Sequence, residues 1–205
     1  MLSNEEKMDE MEFDVLTEIG NIGAGNATTA LSQLIDGRVD MYVPKVEMLA
    51  FKELAEIIGG AETLVAGILL SLDGDIEGSM LFILENSAAH HLVSKLMGTL
   101  GEDSDEGFSE MELSALMEIG NIISGAYLTA ISKLTSLKII STVPSLAVDM
   151  AGAILSVPAI EFGKLGDKAL LIESQFRDLD VDISGYFILI PTMDSYARIL
   201  KSLGI

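Results

Sequence analysis

Cysteine is absent from the 205 residues. That excludes disulfides, a thiolate metal site and a thiol nucleophile. Cations are scarce: 12 Lys and Arg stand against 32 Asp and Glu, a formal net charge of −20. Nucleic-acid affinity comes mainly from neutralising phosphates with such cations, so no nucleic-acid partner is expected. The same field repels a small free phosphate ester, and a phosphorylated ligand fits only if it brings its own positive charge. The acidity serves solubility equally well, and composition does not choose between the two. Long apolar runs are missing as well. A stretch such as 65–72 is strand-sized, far short of the roughly 20 residues that cross a bilayer, so no membrane insertion is expected. Residues 1–12 are acidic, unlike a secretory signal with its basic start and apolar middle. A cytoplasmic address is the resulting expectation. What is abundant is apolar side chain, 49% of the total, enough for a substantial core.

The chain repeats itself. Shifted by 100 residues, 10–34 and 110–134 agree at 14 of 25 positions. The shared centre reads Glu18-Ile19-Gly20-Asn21-Ile22 in one copy and Glu118-Ile119-Gly120-Asn121-Ile122 in the other. The register holds to Pro44 and Pro144, each 23 residues beyond its Asn. Downstream, Asp75-Ile76-Glu77-Gly78 resembles Asp182-Ile183-Ser184-Gly185, each leading into an apolar strand and then a helix that ends at glycine, 86–98 and 192–204. Each half therefore reads as long helix, strand, variable piece, two strands and closing helix. Asp9 with Glu12, and Ser109 with Glu112, form capping-box signals for the long helices. Asp73-Gly74 marks a hairpin, and 101–107 reads as the linker between halves. These features predict an α/β fold of the α+β type: internally duplicated, pseudo-two-fold, with a continuous, largely antiparallel sheet and two long signature helices. One domain over 1–205 is expected, made of repeats of about 1–100 and 101–205.

Residues three apart on a helix share a face, with Cβ atoms about 5–6 Å apart. Glu18 therefore projects with Asn21, and Glu118 with Asn121; Asp14 and Ser114 lie four residues earlier on the same faces. Gly20, Gly25, Gly120 and Gly125 each cost a helix about 1 kcal/mol relative to Ala, and something must offset that. A Glu and an Asn on a helix face are ordinarily just solvated. Solvated positions drift after duplication, however, and positions 23, 24, 26, 27 and 28 have changed between the copies while Glu, Gly and Asn have not. Asn cannot titrate, but its amide donates and accepts hydrogen bonds. That suits it to holding a water in line with a phosphorus, in a reaction that needs chiefly positioning and charge stabilisation. Glu suits an anchor to a partner lysine.

The pattern of Asp or Ser, then Glu four residues on, Asn three further and Pro 23 beyond it, resembles the signature of the CheC/CheX/FliY family of bacterial chemotaxis phosphatases. Asp14, Glu18, Asn21 and Pro44 match it, as do Ser114, Glu118, Asn121 and Pro144, and the likeness covers essentially the whole chain. The resemblance implies hydrolysis of the aspartyl-phosphate of the response regulator CheY. Glu18 and Glu118 would contact the active-site lysine of phosphorylated CheY, Asn21 and Asn121 would place the attacking water, and Asp14, Ser114, Pro44 and Pro144 would support them. It implies no cofactor of the chain's own, with Mg2+ on CheY. It also implies a second partner, the receptor deamidase CheD. One-copy members dimerise; a two-copy chain is expected to be a monomer. A non-catalytic adaptor for CheD or for the flagellar switch is the competing reading.

Other features carry less. Asp73-Gly74-Asp75 faintly resembles the nucleophile loop of haloacid-dehalogenase phosphatases, but Glu77 stands where Thr or Val is needed. Asp178, Asp180 and Asp182 lack the glycine and distant Glu of an EF-hand and read as a solvated inter-strand loop. His90 and His91 are adjacent, a poor pair for one metal, and read as helix surface. The eleven methionines read as core filling. The halves differ most after their prolines: 51–58 reads as a short helix, whereas Asp149-Met150-Ala151-Gly152 leads into a strand-like run containing Pro158. An asymmetric partner such as CheD is expected where the symmetry breaks, at Asp149 and Met150.

Overall fold

In the computed structural model, residues 10–34, 40–98, 107–162, 168–178 and 181–204 are described. The first half runs α1 (Glu10–Leu34), β1 (Asp40–Ala50), α2 (Phe51–Ile57), β2 (Leu64–Gly74), β3 (Gly78–Glu85) and α3 (Asn86–Met97). The second runs α4 (Glu110–Thr135), β4 (Ile139–Ser141), β5 (Ser145–Met150), α5 (Ala151–Phe162), β6 (Lys168–Asp178), β7 (Val181–Pro191) and α6 (Met193–Ser202). No helix among the described residues is long and apolar enough to cross a membrane.

Local chemistry explains most of these boundaries. The hydroxyl of Ser109 accepts from the Glu112 amide at 3.3 Å while the Glu112 carboxylate accepts from the Ser109 amide at 2.7 Å. Two otherwise orphaned donors are thereby satisfied at the start of α4. The same reading at Asp9 falls outside the described residues, as do most of the linker segment and Asp180. The β2–β3 hairpin turns where Asp73-Gly74 predicts. Gly78 at its far side has φ +144°, and a Cβ there would lie 2.2 Å from the Ile190 carbonyl oxygen, so no other residue fits beside β7. The matching stretch 182–185 sits inside β7 rather than at its entry, because the β6–β7 hairpin runs longer.

Every strand pair is antiparallel, in the order β1-β6-β7-β3-β2-β4, with β5 also on β2. The pairing crosses between the halves at three places: β1 of the first half lies on β6 of the second, β3 of the first on β7 of the second, and β4 and β5 of the second on β2 of the first. Helices cover both faces. On one, Ile68, Leu70, Phe82, Ile172 and Phe187 pack with Leu16, Ile19, Leu116, Ile119 and Ile123 from α1 and α4. On the other, Val65, Leu81, Leu171 and Ile188 pack against Leu54 of α2 and Ile154 and Leu155 of α5. Burial on both faces is why β3 reads as a continuous apolar run rather than an alternating one.

Three sequence expectations are corrected. The run after Met150 is helix α5, not strand. Ala151, Ile154, Leu155 and Pro158 are buried together, a helical spacing that a short apolar run conceals, and Pro158 is accommodated inside the helix. His90 is buried, its ring stacked on Phe108 at 3.9 Å, because α3 packs on the start of α4. The methionines divide: Met80 is core, but Met97, Met111, Met150 and Met193 are exposed.

Candidate functional site

The two long helices pack on one another and on the sheet, and their burial patterns coincide. On α1, Leu16, Ile19, Gly20, Gly23, Ala24 and Ala27 face inward; on α4, Leu116, Ile119, Gly120, Ile123, Ser124 and Tyr127 do so. The opposite faces are open. Asp14, Glu18 and Asn21 are exposed on α1, and Ser114, Glu118 and Asn121 on α4. Both Glu–Asn pairs therefore lie on solvent-facing ridges. Among the described residues, none of these four side chains makes a hydrogen bond or ion pair. Ser114 is tied back, its hydroxyl donating to the Glu110 carbonyl at 2.9 Å.

What fixes the ridges lies beneath them. At Gly20 a Cβ would meet Val43 at 3.2 Å and Ile172 at 3.3 Å; at Gly120 it would meet Ile68 at 2.3 Å. These glycines, immediately before the two asparagines, let the helices settle onto the sheet and set the height of each amide. At Gly23 a Cβ would meet the Tyr127 ring at 2.3 Å, so the two helices approach closely where the smallest residue faces the largest. Tyr127 is held in turn by a 2.6 Å hydrogen bond to Ser174 and by stacking on Phe187 at 4.2 Å. Burial pushes its phenol up to about 12, against the opposing effect of the Ser174 hydrogen bond.

The prolines lie outside the two long helices that carry the amides. Pro44 falls in β1 where the register against β6 slips between Tyr42 and Lys45; β1 is an edge strand, where a missing N–H is tolerated. The neighbouring Val43 is the side chain that packs by Gly20. Pro144 separates β4 from β5, so the equivalent strand is broken outright, and Val143 is 85% exposed. The two prolines thus occupy one repeat position with unequal consequences. Asp149 and Met150 are brought near neither ridge by the strand register: they end β5, opposite Val65 and Leu64. Both are exposed, and the Asp149 carboxylate accepts from the Met150 amide at 2.7 Å.

The Glu–Asn pairs lie on exposed helix faces. An open cleft of about 650 Å³ does flank α4, lined by Leu64, Phe108, Leu113, Met117, Leu146 and Val148 among others, but it holds no ionisable side chain. Sequence reasoning missed one part of the ridges. Thr29 and Thr129 are exposed, identical in the two halves, and continue the line through Asn and Gly25 or Gly125; their identity was visible in the repeat.

A protein-family model described as CheC-like matches residues 11–48 and again 111–148. The chain is 37% identical over 198 residues to the CheY-P phosphatase CheC of Bacillus subtilis (strain 168), covering 95% of each protein. Among solved structures, FliY of Thermotoga maritima superposes with a TM-score of 0.77 at 21% identity, over 96% of this chain and 98% of that one. A chain of the CheX–CheY–BeF3–Mg complex from Borrelia burgdorferi superposes with a TM-score of 0.50 at 20% identity, over 82% and 94%. At such identities the structural likeness speaks to the fold.

Proposed function

The chain belongs to the CheC-like family, and from that premise we propose that it hydrolyses the aspartyl-phosphate of CheY, using Glu18 with Asn21 and Glu118 with Asn121. The observation that carries this reading is that both Glu–Asn pairs stand exposed at matching places on two long helices packed on the sheet. A surface site of this kind suits a folded protein substrate, and the net charge of −20 favours one that presents cations.

In this reading Glu18 or Glu118 accepts from the ammonium of the partner's active-site lysine and fixes the register of docking. The Asn amide, one turn further, accepts from a water and holds its oxygen in line with the phosphorus. As the water oxygen bonds to phosphorus, the bond to the aspartyl oxygen breaks. The carboxylate leaves, and the water proton passes to the phosphate released. Mg2+ on CheY supplies charge neutralisation when bound; the chain itself contributes no cofactor. Asp14 and Ser114 border the anchor, and Pro44 acts through Val43 on the seat of Gly20.

Three finer points belong to the same proposal. The strand exchange between repeats supports one domain over the whole chain, acting as a monomer. The deamidase CheD would dock where the halves diverge, at Asp149, Met150 and the outer side of α5, where Val157 and Ile160 are exposed. Substitutions there should spare phosphatase activity and abolish CheD binding. The main test is phosphate release from radiolabelled CheY-P with and without this protein. Accelerated release is expected; unchanged decay would leave a non-catalytic adaptor.

A further inference from the structure

The exposed ridges run on past the amides. Positions 14, 18, 21, 25, 29 and 33 are exposed in α1, and positions 114, 118, 121, 125, 129 and 133 in α4. The residues are identical at 18, 21, 25 and 29 and their mates. From 14 to 29 the ridge spans 16 residues, about 22 Å of helix. Among the described residues nothing asks for glycine at 25 or 125. Gly20, Gly23 and Gly120 each face a side chain that a Cβ would crowd, whereas a Cβ at Gly25 or Gly125 would meet nothing within 4 Å. Neither residue has a positive φ, so the backbone does not ask for glycine. Only proline is a poorer helix former than glycine. Yet both copies keep it, inside a stretch where positions 23, 24, 26, 27 and 28 have all diverged.

What remains is something that comes from outside. We propose that Gly25 and Gly125 are docking positions: their bare helix surface admits the main chain of the phosphorylated partner one turn beyond each amide, and so sets how closely the phosphorus approaches Asn21 or Asn121. The inference rests on the phosphatase reading and deepens it. In the first copy the Thr29 hydroxyl donates to the Gly25 carbonyl at 3.1 Å, so that carbonyl already has a partner and shape is what the surface offers. A side chain at 25 would lift the partner, pivoting it about the Glu anchor and drawing the phosphorus away from the amide. Reactions that depend on a positioned water lose rate steeply with such displacement.

The test compares the full chain with the double variants G25A/G125A and G25L/G125L, since a single change leaves the other ridge active. Three quantities are read: the melting temperature, kcat/KM for CheY-P hydrolysis, and binding of beryllofluoride-loaded CheY. For the alanine pair the melting temperature should rise while kcat/KM falls about tenfold. The leucine pair should lose more activity, and binding should weaken in the same order. Unchanged activity and binding in the leucine pair would overturn the inference and leave the phosphatase reading intact. If the unaltered chain binds CheY without hastening hydrolysis, the phosphatase reading falls alone, and the binding series still decides: weaker binding supports docking at the glycines, equal binding overturns it. If the unaltered chain neither binds nor hydrolyses, both fall.

Discussion

At the scale of the residue, glycine does two different jobs that the sequence does not separate. Gly20, Gly25, Gly120 and Gly125 look alike in the repeat, but the first and third sit over the sheet and the others face solvent. The seats under Gly20 and Gly120 also differ. The added methyl of Gly120→Ala would press into Ile68 at its Cδ1, Cγ2 and Cβ, the last two belonging to the stiff branched part of a fully buried side chain. Overpacking of that kind costs about 1–3 kcal/mol and outweighs the helix gain of about 1 kcal/mol. At Gly20 the nearest atoms are 3.2 and 3.3 Å away, so Gly20→Ala should be close to neutral. Urea unfolding of the two variants should show Gly120→Ala clearly the less stable. Tyr127 offers a second check. Its phenol, raised from about 10 to about 12, is favoured in the neutral form by the folded state. Its contribution is therefore complete below pH 10 and is lost as pH rises from 10 towards 12. Tyr127→Phe leaves the buried Ser174 hydroxyl without its partner, a loss of about 1–3 kcal/mol at neutral pH. The deficit against the unaltered chain should shrink across pH 10–12.

At the scale of the element, the long helices were legible because their signals agree: caps, apolar period and a second copy of the same text. The capping box at Ser109 and Glu112 is the most explicit. Hydrogen bonds from the Ser109 amide and hydroxyl hold the Glu112 carboxyl below its ordinary value. A depressed carboxyl pKa means stability present above the unfolded value of about 4.5 and lost as pH falls through the folded one. Ser109→Ala should cost about 1 kcal/mol at pH 7, and the difference should narrow on acidification, as followed by thermal melts between pH 7 and 3. Helix α5 was not legible. Its residues 151–160 are apolar on nearly all sides, so the run carries no helical period, and it contains Pro158, a residue that helix interiors ordinarily exclude. His90 was misread for a related reason: its partner Phe108 is 18 residues away and meets it only when α3 and α4 pack.

At the scale of the whole molecule, duplication revealed the architecture but not the way the halves join. The antiparallel sheet and the two signature helices follow from the repeat. That β1 pairs with β6, and β4 and β5 with β2, does not, because register between distant strands is decided by packing on both faces rather than by local pattern. The exchange has a consequence. A half cut at the linker loses the strands on both sides of its hairpin and exposes apolar side chains such as Leu170 and Ile172. Each half alone should be unfolded, or should pair as a dimer that restores the missing strands; circular dichroism with sedimentation analysis distinguishes these from a folded monomeric half, which would contradict the account. The same pseudo-symmetry sets two Glu–Asn ridges outward on one scaffold, and the proposed chemistry depends on them. The most direct measurement is therefore phosphate release from radiolabelled CheY-P by the N21A/N121A double variant, with binding of beryllofluoride-loaded CheY followed in parallel. The account predicts binding near that of the unaltered chain and a loss of rate of roughly a hundredfold or more; hydrolysis at the unaltered rate, with the amides gone from both helices, would contradict it.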